Sequence, residues 1–222
     1  MQLDFGILVE YLPLFIKGLG MTIGLALLTV VLGTLLGTPL ATAKLSQHKV
    51  WKRVASIYIE VVRGTPLLLQ LYIFAYGIPL AIPSFYISPF AAGVLALTLN
   101  SAAYVAEVIR AGIQSVDIGQ MEAARSLGLS RSKAMRKVII PQAFKNVLPA
   151  LGNEFVTVVK ESSIVSIVGI VDVMKITNVV SSQEFTMFEA LIFAGLLYFI
   201  VTYSISKLIQ RMERRLDVHA RH

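Results

Sequence analysis

Glu122-Ala-Ala-Arg-Ser-Leu-Gly-Leu-Ser-Arg-Ser-Lys-Ala-Met-Arg-Lys-Val-Ile-Ile-Pro141 is the longest polar, basic interval in this chain, and long apolar runs flank it on both sides. A water-facing stretch of that length between apolar segments reads as a helix-turn-helix, a handle for a soluble partner. Asp117 with Gln120 three residues later resembles a capping box and predicts a short helix through about Arg125. Gly128 suits the left-handed position that ends such a helix. Ser130 is placed to cap a second helix carrying Arg131, Lys133, Arg136 and Lys137, and Pro141 and Pro149 shape the approach to the next apolar run.

The composition explains those flanks. Of 222 residues, 56% are hydrophobic and 15% charged, against roughly a quarter charged in soluble domains, and the mean hydropathy is +0.74. Several runs reach the roughly 20 residues that a helix needs to cross a hydrocarbon core. The short alternating segments of an outer-membrane barrel do not appear. The fold class is therefore an all-α membrane protein with about five transmembrane helices. Cysteine is absent, which excludes disulfides and thiolate metal sites on this chain.

Residues 1–18 mix apolar and acidic side chains around Pro13, with no basic leader or small-residue cleavage site, and read as an interfacial helix rather than a signal peptide. A first span over about 19–43 carries Gly20-x-x-x-Gly24 and Gly33-x-x-x-Gly37; these admit a closely packed helix, or are the small residues common to any membrane helix. In a second span, about 54–77, Glu60 and Arg63 share a helix face and can neutralise each other, and Gly64-Thr65-Pro66 bends the helix. A third, about 89–113, places Asn100, Tyr104 and Glu107 on one stripe with Arg110 a turn beyond. The fourth, about 146–163, is unusually polar, with Asn153, Glu154, Lys160, Glu161, Ser162 and Ser163. The last runs over about 187–208.

Basic residues orient these spans. Lys44, Lys49, Lys52 and Arg53, then Arg125, Arg131, Lys133, Arg136, Lys137 and Lys145, then Lys207, Arg211, Arg214, Arg215 and Arg221 make 15 of the 20 Lys and Arg. Five spans put all three groups on one side, which the positive-inside rule makes cytoplasmic, with the N-terminus outside and the C-terminus inside. A sixth span over 164–183 would send the basic tail outside, so that segment, with Asp172 and Lys175, reads as an outer-face or partly re-entrant helix. The net charge of +7 is thus a topology signal, and nucleic acid is not needed to explain it.

The three histidines, His48, His219 and His222, lie in loop or tail positions, and neither a nucleophilic triad nor a zinc-like spacing can be drawn in the spans. A phosphate-cradling G-x-x-x-x-G-K-[ST] is missing, so no catalytic residue is assigned. What remains are ionisable groups within apolar runs, which cost at least about 2.5–3.5 kcal/mol each at mid-bilayer. Two readings stay open for them. One is structural ion pairing, such as Lys160 with a carboxylate. The other is a polar cavity for a zwitterionic solute, with Glu107, Glu154, Glu161, Lys160, Asn100, Tyr104, Asn153 and Ser162 as candidates.

Glu122-Ala123-Ala124, Gly128 six residues after the glutamate and Ile140-Pro141 resemble the EAA loop of ATP-binding-cassette importer membrane subunits. Arg63-Gly-Thr-Pro-Leu-Leu-Leu-Gln-Leu, the run Asn100-Ser-Ala-Ala-Tyr-Val-Ala-Glu-Val-Ile-Arg-Ala-Gly-Ile and Lys160-Glu-Ser-Ser-Ile-Val-Ser resemble the polar amino acid permease group (histidine, glutamate, glutamine, arginine and opine systems), over roughly 15–215. Asp117-Ile118 departs from the group's usual Pro and Lys. The resemblance implies one MetI-like type I importer transmembrane domain over 1–222, with a permease core at 19–215 and a cytoplasmic coupling loop at 116–141. It also implies a paired permease subunit, identical or homologous, and two ATPase subunits that bind ATP and Mg in place of any cofactor on this chain. An extracytoplasmic amino-acid-binding protein and a cytoplasmic (inner) membrane location complete it. Glu122, Ala123, Ala124, Gly128 and Pro141 would couple to the ATPase, and Glu60, Arg63, Gly64 and Pro66 would be structural. The alternative is an ion-coupled secondary amino acid transporter using Glu107, Glu154 and Glu161, against which stands the lack of a recognisable inverted repeat.

Overall fold

One helix, α1 (Ile7–Leu45), runs through 39 residues and touches α2 (Lys49–Gly64), α5 (Pro89–Gln114), α8 (Ile140–Glu161), α9 (Val173–Glu184) and α10 (Met187–Val218) in the computed structural model. The structure describes residues 5–84 and 86–218. The first residues of the 1–18 segment, His219, Arg221 and His222 lie outside them. At about 1.5 Å per residue α1 is roughly 58 Å long, nearly twice a hydrocarbon core. The expected interfacial helix is not separate: residues 7–18 continue straight into the first span, because Pro13 lies inside α1 without breaking it.

The two glycine pairs of α1 behave differently. A Cβ at Gly37 would stand 2.8 Å from the Ala102 carbonyl oxygen, and one at Gly33 2.9 Å from Ser101 Oγ, so these two glycines let α1 press backbone-to-backbone on α5. Gly20 and Gly24 have nothing within 4 Å. Ala41, Ile59, Ala103 and Ala106 continue the same seam onto α2.

The second span departs most from expectation. Rather than one rod over 54–77, α2 ends at Gly64 and the chain turns by 103° into a second arm, Leu67–Ala81. That arm comprises α3 (Leu67–Tyr72), a π turn (Ile73–Gly77) and α4 (Ile78–Ala81). Pro66 has no N–H to give the Val62 carbonyl four residues back. The Gln70 amide supplies it, with Nε2 2.8 Å from Val62 O and 3.2 Å from Thr65 O, while Gln70 Oε1 accepts from Asn100 Nδ2 at 3.2 Å. Arg63 does not pair with Glu60, which is exposed; the turn at Gly64 swings Arg63 onto α5, where it lies over the Tyr104 ring at 5.1 Å.

After α5 comes α6 (Ile118–Ser126), then α7 (Arg131–Ala134), a π turn (Met135–Ile139) and α8. The second helix of the loop does not stop before the membrane but runs on into the fourth span, which therefore starts earlier than 146. The π turn ends two residues before Pro141, as the earlier one ends two before Pro79. A wider turn relieves the clash and the missing donor that proline imposes on the preceding turn. Beyond α8, a 3-10 turn (Ser162–Val168) and Gly169 at φ +90° lead to α9. Its cap Asp172 is buried, accepts from Lys175 N at 2.8 Å and lies 3.5 Å from Tyr198 Oη.

Among the described residues, three helices are long and apolar enough to cross a membrane, Ile7–Leu45, Pro89–Gln114 and Met187–Arg215. Two bent pairs, at 103° and at 50° between Arg131–Val168 and Val173–Glu184, bring the number to five. The 164–183 segment thus joins α8 as the far arm of one broken span, in keeping with five spans rather than six.

Gly37→Leu should destabilise the protein by roughly 1–3 kcal/mol through overpacking, lowering its thermal midpoint in detergent, while Gly20→Leu leaves that midpoint unchanged. Gln70→Leu strips partners from the Val62 carbonyl and Asn100 at once, at about 1–3 kcal/mol for each group left unsatisfied. A midpoint matching the wild type would show that the bend does not rest on this amide.

Candidate functional site

The polar candidates divide into separate places. On the loop-ward half of α5, Glu107 receives Lys44 Nζ of α1 at 2.5 Å and Arg110 Nη2 at 2.8 Å, with Arg63 Nη1 at 3.8 Å. A carboxylate ringed by three cations ties α1, α2 and α5 together, and Arg110 reaches on to Gln114. Of the two open readings of Glu107, the geometry matches structural ion pairing. Asn100 is buried in the Gln70 braid, also a structural place. Neither side chain shares a space with Lys160 or Glu161.

Glu154 accepts from Ser101 Oγ at 3.1 Å across the α5–α8 contact, whereas Asn153 is exposed and makes no side-chain hydrogen bond among the described residues. At the far end of α8 the chain does build a cavity. It holds about 720 Å³, and its lining includes Lys160, Glu161, Ser163, Pro66, Leu67 and Tyr198. Ser162 is not part of it. As the helix tightens into the 3-10 turn, Ser162 points into the core and donates to Val159 O at 2.9 Å, leaving Ser163 on the cavity side. An ammonium, a carboxylate and a hydroxyl on an otherwise apolar wall offer a zwitterion opposite charges at the two ends of one space. Lys160 forms no salt bridge with a carboxylate among the described residues, so both charges face the cavity.

Sequence reasoning missed Gln70 and Lys44. Gln70 is the one polar residue in Leu67-Leu-Leu-Gln-Leu, which was a usable signal. Lys44 reads equally well as a topology charge, and only its distance to Glu107 assigns it.

The loop forms a second candidate site. Asp117 caps α6 by accepting from Gly119 N at 2.7 Å, but Gln120 does not return the bond that a full capping box needs; its Oε1 accepts from Gln142 instead, at 3.2 Å. Gly128, at φ +84°, donates to Arg125 O at 3.0 Å and Leu129 N donates to Ala124 O at 3.2 Å, the paired bonds of a Schellman stop. Ser130 Oγ caps α7 through Lys133 N at 3.4 Å. Ala124 and Ala134 are buried, while Glu122, Ala123, Gly128 and Pro141 are exposed. Ile118 is 75% and Leu127 84% exposed, so each end of α6 holds a large apolar side chain in the open.

Comparison with known proteins follows from this geometry. An arginine transport system permease protein, ArtQ of Bacillus subtilis (strain 168), is 41% identical over 97% of this chain and 98% of its own. A putative glutamine transport system permease protein, GlnP of Rickettsia typhi, is 37% identical over 96% and 98%. A crystal structure of an amino acid ABC transporter with histidines superposes with a TM-score of 0.93 at 52% identity, covering 97% of this chain and all of that one. An inward-facing structure of the MetNI methionine ABC transporter shares the fold, with a TM-score of 0.72 at 19% identity over 91% and 98%. Residues 30–218 match the family described as "Binding-protein-dependent transport system inner membrane component", and with five spans of this arrangement the chain belongs to that family of membrane permease components.

Proposed function

We propose that the chain is the permease subunit of an ATP-driven importer of polar amino acids, with basic side chains favoured, and that α6 couples it to separate ATPase subunits. The observation that carries the coupling is α6 itself. It is held at both ends by caps and pinned from behind through Ala124, yet it exposes Ile118, Glu122, Ala123 and Leu127. Exposed apolar ends on a short rigid helix fit a groove in a partner. Asn146 Nδ2 donates to Ser115 Oγ at 2.8 Å, and with the Gln142–Gln120 bond it links α6 and its lead-in to α8. A push on α6 is thereby carried along α8 towards the cavity. ATP and Mg are handled on the partner ATPases, since this chain carries no phosphate loop.

The remaining assembly follows from the family: a second permease copy or homologue, two ATPases and an extracytoplasmic binding protein, in the cytoplasmic membrane. The basic groups around Lys49, the 125–145 loop and the α10 end place α6 in the cytoplasm. For the substrate, Lys160 is positioned to take a carboxylate. Glu161, with Glu154 two helical turns below, suits a cationic group. The relatives named for arginine and glutamine and the transporter solved with histidines keep the proposal at polar amino acids, with Glu161 as the reason for basic ones. No observation favours the ion-coupled alternative.

Glu122→Lys or Gly128→Val should reduce ATP-driven uptake by roughly tenfold or more with membrane insertion unchanged; wild-type uptake in both would remove α6 from coupling. Glu161→Gln should raise the KM for arginine about tenfold, the loss of roughly 1.4 kcal/mol expected of one charge-assisted contact, and leave glutamine less affected. Measurement of substrate-stimulated ATPase in reconstituted complex decides this, since identical profiles for both amino acids would take the cavity out of substrate selection.

A further inference from the structure

A second space lies on the outside of the bundle, away from the cavity and from α6. It is a groove of about 400 Å³ between α1 and α2, walled by Leu36, Pro39, Leu40 and Ala43 on one side and by Trp51 and Tyr58 on the other. Its walls are apolar. Tyr58 brings the wall's hydroxyl, and that group is already spent, donating to Leu99 O at 2.8 Å. A polar solute would find nothing to bond there, whereas hydrocarbon fits.

The mouth of the groove has the opposite character. Lys49, Lys52 and Arg53 occupy the first turn of α2, all exposed, and none forms an ion pair among the described residues. Side chains on a helix tilt towards its N-terminus, so these three project to the end where Trp51, 63% exposed, marks the membrane–water interface. Lys44 does not add to them, being engaged by Glu107. The nearest acid on α2 is Glu60, two turns beyond Arg53. His48 supplies no side-chain cap to α2, which leaves the positive end of the helix uncovered.

We infer that the α1–α2 groove is a specific site for an anionic phospholipid, with an acyl chain lying between Leu40 and Trp51 and the phosphate held by Lys49, Lys52 and Arg53. Charge complementarity selects the occupant: a zwitterionic lipid would fill the groove equally well but cancels at the mouth. Bound there, the lipid braces α1 against α2 on the side opposite the Glu107 cluster.

Trp51 is the chain's single tryptophan, so its fluorescence reports the groove directly. The full chain in phosphatidylcholine nanodiscs is titrated with dibrominated phosphatidylglycerol or dibrominated phosphatidylcholine. Phosphatidylglycerol should quench Trp51 at a mole fraction roughly tenfold lower. Combining Lys49→Gln, Lys52→Gln and Arg53→Gln should make the two lipids equal. Ala43→Phe, which keeps the charges and fills the groove, should also abolish the preference. Arg211→Gln with Arg214→Gln should preserve it. Equal quenching of the wild type by both lipids, or a preference that survives the triple substitution, overturns the site. Relief of quenching by excess soluble glycerol phosphate overturns it too, because the mouth would then hold a headgroup without its lipid.

Discussion

Hydrocarbon offers no hydrogen bonds, so every backbone group released by a break in a spanning helix must find a partner inside the protein. The permease is shaped by how it meets that demand at its prolines. Pro66 withholds a donor, and a glutamine amide four residues later replaces it while reaching Asn100 on α5. Pro79 and Pro141 are met differently, by widening the preceding turn. At Thr65 the hydroxyl adds a further bond to Val61 O at 2.9 Å. The 103° turn is therefore satisfied rather than frayed, and it brings Pro66 and Leu67 to the cavity wall opposite Lys160.

Close packing sets the other limit. Lipid supplies little hydrophobic drive between helices, so contact depends on small residues and polar ties. Gly33 and Gly37 let α1 lie against α5, and that proximity brings Lys44 within reach of Glu107. The ion cluster and the glycine seam thus depend on each other. Thr22 and Asp172 act similarly at the opposite end, where Thr22 Oγ1 accepts from Val173 N at 3.4 Å and a Cβ on Gly18 would collide with Ile176 and the Asp172 backbone.

Local signals survived folding where they act over a few residues. Asp117, Gly128 and Ser130 take the caps and the left-handed turn that their spacing implies, because those bonds close within one helical turn. The stripe Asn100–Tyr104–Glu107 lies on one side of α5 as periodicity requires. What periodicity could not say is what each residue would meet. Glu60 and Arg63 share spacing suited to an ion pair, yet a nearer carboxylate on another helix takes Arg63. Ser162 and Ser163 are equivalent as text, and a change of helical pitch separates them.

The amino-acid sequence by itself determined an all-helical membrane protein, the break at Pro66, the capped loop helix and the family, because hydrophobic length, proline chemistry and capping are properties of adjacent residues. Only the tertiary structure decided that residues 7–45 form one helix, that Glu107 belongs to an ion cluster, and that Lys160, Glu161 and Ser163 line one cavity. Those outcomes depend on which helices approach within a few ångströms, and that distance is fixed by glycines and bends far away in the chain.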